Sequence, residues 1–248
     1  MVLYVGMRRM YLTYLSILLG GCVATEWKST SGMIKKNIQA GKYEIYTQQK
    51  ISDDTSPINI YIEGDGNSFT KRGVPTKNPT PISTLVRDMA DADNAANVVY
   101  IGRPCQYIMS TKCQQSDWTD GRFSPDVIQA IQDTIKHVAG NRPISLIGYS
   151  GGALISGYII KNNPDMNFIQ WITVSGVLNH NDWTNHFGDK PLKNSVDLDT
   201  LPDIKQVHFV AENDKVVPRK LSEKWTRGKP MIVIKGATHN DYSETQTP

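Results

Sequence analysis

A serine between small residues is the side chain in this sequence best suited to do chemistry. It lies in Gly148-Tyr149-Ser150-Gly151-Gly152, directly after the short apolar run 144–147. Small residues two positions before and after a serine let a strand and a helix approach closely, and they hold the serine in a strained turn. The hydroxyl of Ser150 would then be exposed for attack, and the Gly151 amide at a helix N-terminus could stabilise an oxyanion. An inert serine in a glycine-rich turn has the same local pattern.

A nucleophilic serine needs a base, and the base needs a group that orients it. Asp214 lies just beyond the predicted strand 207–211, and His239 follows the last predicted strand, 231–234. Either residue alone is compatible with a solvated loop. Asp241 is two residues from His239 and is the alternative orienting group, whereas His208 falls inside a strand and is expected to be packed.

A second glycine-containing loop follows an earlier strand. The predicted strand 58–62 runs into Glu63-Gly64-Asp65-Gly66, in which the glycines let the backbone approach a substrate closely. A tight turn without function is the alternative interpretation.

These motifs, over about residues 58–239, resemble the α/β-hydrolase superfamily. Its chain order is nucleophile, acid and histidine, with the last two on loops after later strands. The resemblance therefore implies a catalytic triad of Ser150, Asp214 and His239, with oxyanion amides from Gly151 and Asp65 and with Gly66 as the next candidate. Glu63 stands where many members carry histidine. Only nine residues follow His239, so the helix that usually braces the histidine loop is expected to be short or absent.

The remaining patterns predict an α/β fold, with a mostly parallel central sheet and helices on both faces. Apolar strand-like runs alternate with helical patterns, such as the helix that begins at Ser124-Pro125 and the helix expected over 81–91. A hairpin at 33–52 is expected to place both of its strands at the sheet edge. The hydrolase domain is predicted to span 32–248, with probable cap loops at 103–123 and 179–199. Both loops are expected to be irregular. For His180, Trp183 and His186, packing at the surface is the default interpretation, and a place in the substrate pocket is the alternative.

The N-terminus resembles an export signal. Arg8 and Arg9 precede an uncharged, mostly apolar run that ends in Leu19-Gly20-Gly21-Cys22. That ending resembles the lipobox of bacterial lipoproteins, which implies removal of residues 1–21, lipidation of Cys22 and a tether over 22–31. The protein would then be exported and lipid-anchored to a bacterial membrane, on its periplasmic or outer face. A plain signal peptide or a buried N-terminal strand is the alternative.

The three cysteines fit an exported protein. With Cys22 lipidated, Cys105 and Cys113 remain as an even pair, which in an oxidising compartment suggests a disulfide. Two free, buried cysteines are the alternative.

The chemistry predicted from these residues is acyl transfer to water, with no metal and no cofactor. The partners expected are a small-molecule or lipid acyl substrate and a membrane surface. The net charge of +3 over 248 residues, without a basic tract that carries interleaved aromatics, argues against nucleic acid. Two alternatives stay open: an envelope lipoprotein that uses the fold for binding without turnover, and a peptidase or acyltransferase that uses the same triad.

Overall fold

The computed structural model describes residues 27–242, so Cys22 and the predicted signal peptide lie outside the described part of the chain. The described residues form eight strands and five α-helices. The strands are β1 (Ile34–Ala40), β2 (Tyr43–Ile51), β3 (Ile58–Ile62), β4 (Asn97–Ile101), β5 (Ile144–Tyr149), β6 (Phe168–Val174), β7 (Gln206–Ala211) and β8 (Met231–Ile234). The helices are α1 (Leu85–Ala92), α2 (Pro125–Ala139), α3 (Gly151–Asn162), α4 (His180–Phe187) and α5 (Arg219–Trp225).

All eight strands belong to one sheet with the order β1-β2-β4-β3-β5-β6-β7-β8. The first strand pairs antiparallel with β2, β2 pairs antiparallel with β4, and every later pairing is parallel. The predicted α/β class with a mostly parallel sheet is therefore confirmed. The expectation that both hairpin strands lie at the edge is wrong for β2, because β2 is hydrogen-bonded on both sides.

Alternate side chains of the strands pack into separate clusters on the two faces of the sheet. In β3, Ile58 and Ile60 join a cluster with residues of α2 and α3, whereas Tyr61 packs on the opposite side with residues of α1. The sheet therefore has helices on both faces, as predicted. The carboxyl ends of its parallel strands meet at one edge, where the loops that carry Ser150, Asp214 and His239 begin.

The helices that the sequence predicts have the expected boundaries in the structure, except for α1. Ser124 caps α2, because its Oγ accepts a hydrogen bond from the Val127 amide at 3.4 Å. The helix predicted over 81–91 begins only at Leu85, since Pro81 and Ile82 lie in the preceding loop and Ile82 is 83% exposed. The spacing of the apolar residues thus predicts a helix that begins about one turn too early.

The two predicted cap segments differ in structure. Segment 103–123 is irregular apart from one 3₁₀ turn at Gln115–Trp118, and the Cys105–Cys113 disulfide is present in it. Segment 179–199 was predicted to be irregular, and that is wrong because it contains α4. Asn179 caps the start of this helix, because its side chain accepts from the Asp182 amide at 2.8 Å, and Gly188 in the left-handed region caps its end.

The second half of the predicted tether is attached to α1. The amides and hydroxyls of Thr30 and Ser31 and the hydroxyl of Ser29 all donate to the carboxylate of Asp91. Trp27 donates to Asp88 at 2.7 Å. Among residues 27–242, no helix has the length and apolar character needed to cross a membrane.

Candidate active site

Ser150 occupies a strained turn between β5 and α3. Its φ is +49°, a conformation rare for residues other than glycine. A Cβ on Gly148 would lie 2.5 Å from the Cα of Ala153, and one on Gly152 would lie 2.5 Å from the carbonyl oxygen of Ile62. Glycine is therefore required at both positions by close backbone approach, as the sequence pattern predicts.

The structure brings Ser150, His239 and Asp214 together in one hydrogen-bonded chain. His239 Nε2 lies 3.1 Å from Ser150 Oγ, and His239 Nδ1 lies 2.8 Å from Asp214 Oδ2. All three residues are buried. Because an ionised carboxylate can only accept, Nδ1 carries the proton and Nε2 is the acceptor that faces the serine hydroxyl.

Asp214 stays ionised although it is buried. Burial raises its pKa, but hydrogen bonds from His239, from the Ser175 hydroxyl at 2.6 Å and from the Val217 amide outweigh that effect and hold the pKa below its usual range. The Val216 amide also donates to this carboxylate. Ser175 itself has a φ of +46°, so a second strained residue supports the acid. No motif in the sequence identified Ser175.

The loop that carries His239 is braced by tyrosines. The Tyr149 hydroxyl donates to the carbonyl of His239 and to Asn240 Oδ1, both at 2.8 Å, and its ring centroid lies 5.1 Å from that of His239. The Tyr242 hydroxyl lies 2.7 Å from the Ser175 hydroxyl. These contacts hold the His239 loop in place. No sequence motif indicates them, because they join residues about 65 to 90 positions apart in the chain.

The loop after β3 lies beside the serine. A Cβ on Gly64 would be 2.9 Å from Ser150 Cβ, and a Cβ on Gly151 would overlap the carboxylate of Asp65. Among residues 27–242, the amide of Asp65 makes no hydrogen bond, so it can donate to a ligand. Gly66 has a φ of +63° and also lines the cavity at Ser150. The three residues predicted for the oxyanion site are therefore adjacent to the serine.

Glu63, at the start of this loop, is buried. Its carboxyl accepts from the Gly64 amide at 2.9 Å and from the Tyr100 hydroxyl at 2.7 Å. Burial raises the pKa of Glu63 to about 7, against the opposing effect of these two donors. A group that changes charge near neutral pH thus lies two residues from Asp65, whose amide is a proposed oxyanion donor.

A cavity of about 540 Å³ opens at Ser150 and His239. Much of its wall is apolar, including Phe69, Ile82, Leu85, Val177, Trp183 and Val216. Both cap segments contribute, since Arg122 comes from 103–123 and His180 from 179–199. The expectation of surface packing for His180 is wrong, because it is 2% exposed and lines this cavity.

Other polar side chains are separate from the triad. His208 lies inside β7 as expected, where its Nδ1 is hydrogen-bonded to the Thr173 hydroxyl at 2.8 Å. Burial lowers the pKa of His208 to about 4. Within residues 27–242, no group of three or more His, Cys, Asp or Glu side chains is placed to hold a metal ion.

Known structures with a similar fold identify the architecture. No protein-family model and no curated protein matches the sequence. A structure of an α/β serine hydrolase homologue from Coxiella burnetii superposes with a TM-score of 0.56 at 14% identity, covering 87% of this chain and 92% of that chain. A structure described as an α/β serine hydrolase without lid, from Xanthomonas campestris, superposes with a TM-score of 0.54 at 11% identity, covering 84% of this chain and 85% of that chain. The chain has the α/β-hydrolase fold. A serine hydrolase from Cycloclasticus zankles agrees, with a TM-score of 0.54 at 12% identity over 84% of this chain and 92% of that chain.

Within the α/β-hydrolase fold, the elements take their expected places. The loop that carries Ser150 joins β5 to α3, Asp214 follows β7 and His239 follows β8, the positions that a triad takes in this fold. Identities this low show the fold alone, so the chemistry must be argued from the site.

Proposed function

We propose that the protein is a serine hydrolase that cleaves ester bonds through an acyl-enzyme. The observation that carries this proposal is the hydrogen-bonded chain from Ser150 through His239 to Asp214 at the floor of a largely apolar cavity. Each member has the partner its role requires, and the serine has the strained geometry of a nucleophile turn.

The proposed reaction begins with attack of Ser150 Oγ on the ester carbonyl carbon. His239 Nε2 takes the hydroxyl proton as the new C–O bond forms, and Asp214 stabilises the resulting imidazolium. The amides of Gly151 and Asp65 donate to the oxyanion, each worth about 3 kcal/mol by analogy with measured donors. When the intermediate collapses, the alcohol leaves with the proton from His239. Water then attacks the acyl-enzyme by the same route and releases the acid and Ser150.

The test combines a fluorophosphonate probe with a 4-nitrophenyl ester assay. We expect the wild-type protein to gain the mass of one probe, and Ser150→Ala to gain none and to lose turnover by at least about a thousandfold. Ser145→Ala is the matched control, because Ser145 is buried in the same strand at the opposite end from the turn. Unlabelled wild type that turns over no ester would contradict the proposal and would favour a binding role. Turnover of amides, or transfer to alcohols, would instead indicate a peptidase or an acyltransferase.

We further propose that the mature protein is a lipoprotein held at a membrane surface in the bacterial envelope. The support is the lipobox-like sequence 19–22 behind a basic region, together with the Cys105–Cys113 disulfide, which suits an oxidising compartment. In a bacterial host, the wild type should fractionate with membranes and Cys22→Ser should not. Equal distribution of the two would rule out the anchor.

A further inference from the structure

Two buried guanidinium groups, one of them in the cavity wall, lie against one carboxylate. Asp65 binds Arg103 through one oxygen and Arg122 through the other, the second at 2.8 Å. Both arginine side chains are more than nine-tenths buried. Burial raises the pKa of Asp65, but the two arginines outweigh burial and keep the carboxylate ionised. These three side chains therefore carry one excess positive charge in a buried place, where an uncompensated charge is costly. Glu63 is the further carboxyl that acts on Arg103, and it offsets this charge only in its ionised form.

Arg122 is the arginine of this cluster that lines the cavity, together with Asp65. Its guanidinium lies over the rings of Phe69 at 5.5 Å and Trp183 at 5.6 Å, and both rings also line the cavity. Its Nε is buried and has no hydrogen-bond partner among residues 27–242. The aromatic rings fix the direction of the group, while at least one donor is left without an acceptor.

His180 adds a second unpartnered side chain to the same cavity. It is the first residue of α4, and its ring stacks on Phe123 with centroids 5.6 Å apart. Neither ring nitrogen makes a hydrogen bond of good geometry within the described residues, although the ring lies beside the backbone of Ser195 and Val196 and Asp197 Oδ2 is 3.8 Å from Nδ1. Buried polar atoms without partners destabilise the fold unless a ligand satisfies them.

We propose that Arg122 and His180 form a subsite for a carboxylate group on the ester substrate. An anionic group of planar shape would neutralise the excess charge and accept from Arg122 Nε and from a ring nitrogen of His180. The proposal rests on the proposed hydrolase function and deepens it, because it assigns the substrate class: esters whose acyl or alcohol part carries a carboxylate. The apolar remainder of the cavity would hold the hydrocarbon that joins this carboxylate to the scissile carbonyl.

Matched esters test the subsite. In one arm, 4-nitrophenyl hemiesters of glutaric, adipic and suberic acids are compared with the pentanoate, hexanoate and octanoate, so that only the terminal carboxylate differs. In the other arm, hexanoate esters of 4-hydroxybenzoic acid and 4-hydroxybenzamide place the charge on the alcohol side. We expect kcat/KM for the acidic ester to exceed that of its neutral partner by about tenfold or more in at least one arm, mainly through a lower KM.

Variants then assign the preference to Arg122. Arg122→Met leaves Arg103 and Asp65 as a balanced pair, so we expect it to fold, and the ratio of acidic to neutral kcat/KM should fall towards one. Arg122→Lys keeps the charge without the planar fork and should give an intermediate ratio. Arg219→Met is the control, since it removes one exposed positive charge paired only with Glu223 and should leave the ratio as in wild type.

The possible failures are distinguishable. Turnover of neutral and acidic esters with equal efficiency, or a preference that survives in Arg122→Met, would overturn the subsite and leave the hydrolase standing. Absence of all turnover would overturn the proposed function instead. In that case calorimetric titration of adipate into the protein decides the subsite. Binding that weakens in Arg122→Met supports it, and no binding at millimolar adipate overturns it.

Discussion

Two histidine–aspartate pairs border the same cavity, and they are built differently. In the pair of His239 and Asp214, Nδ1 lies 2.8 Å from the carboxylate and Nε2 faces Ser150. In the pair of His180 and Asp197, the ring nitrogen Nδ1 lies 3.8 Å from the carboxylate, too far for a hydrogen bond. Asp197 instead accepts from three backbone amides at the start of α4 and at Leu198.

The difference lies in what each carboxylate is free to bind. Asp214 keeps an oxygen for the imidazole, which fixes the tautomer of His239 and prepares it as a base. Asp197 is occupied in holding the backbone, so it does not fix the ring of His180. The side of the cavity that does the proposed chemistry is internally satisfied, and the side that we propose binds the substrate's carboxylate is not. Residue type alone does not distinguish these roles.

The largest test of this contrast is Asp214→Asn. The amide would present an N–H towards His239 Nδ1, which favours the tautomer that cannot accept from Ser150. We expect kcat for a 4-nitrophenyl ester to fall by about 10⁴-fold, the size of this effect in a serine protease triad. Thermal unfolding should show that the variant still folds.

Asp197→Asn is the matched control for that experiment. The same substitution in the other pair alters no hydrogen bond to a histidine ring, so kcat for the neutral ester should change by less than about threefold. Equal losses in the two variants would mean that the contrast between the pairs has no catalytic meaning.

The carboxyl of Glu63 differs from those of Asp214 and Asp197, because burial is the largest influence on its pKa and outweighs its hydrogen bonds. Glu63 has a pKa of about 7, above the ordinary value of 4.5. Since the folded state holds the proton more tightly than the unfolded state, this group makes folding less stable as pH rises from about 4.5 to 7. In Glu63→Gln that dependence is removed. The unfolding free energy of the variant relative to wild type should therefore rise by roughly 3 kcal/mol across this range.

Denaturant titrations at several pH values measure this rise. Tyr100→Phe is the informative second variant, since it removes a donor that stabilises the ionised form of Glu63. The loss of stability should then extend to higher pH than in wild type. A difference between Glu63→Gln and wild type that stays constant from pH 4.5 to 8 would show that Glu63 has an ordinary pKa.

The sequence predicted the sheet, the nucleophile turn and the positions of Asp214 and His239 after their strands, because each depends on local signals. Glycines at fixed spacing, apolar β-branched runs and a serine–proline cap act within a few residues of the chain. The roles proposed for Arg122 and His180 could not be predicted in this way. They depend on segments 103–123 and 179–199 meeting Asp65 across the cavity, and neither segment carries the periodicity that would place it. The sequence of α4 is mostly polar and lacks a helical pattern of apolar residues, so this helix was not predictable either.

Removing one contact that supports the His239 loop should have the smallest effect on kcat among the catalytic variants, and it tests one specific role. Tyr149→Phe keeps the ring contact with His239 but removes the hydroxyl that donates to its carbonyl and to Asn240. One neutral hydrogen bond contributes about 1 kcal/mol, so we expect kcat to fall by roughly fivefold as the imidazole loses its position, with KM little changed. Tyr61→Phe is the control, because its hydroxyl bonds Asp93 on the same face of the sheet, away from the triad. Both variants should lose similar stability, and only Tyr149→Phe should lose kcat. Parallel loss of kcat in the two would mean that general loosening of this face, and not the position of His239, controls the rate.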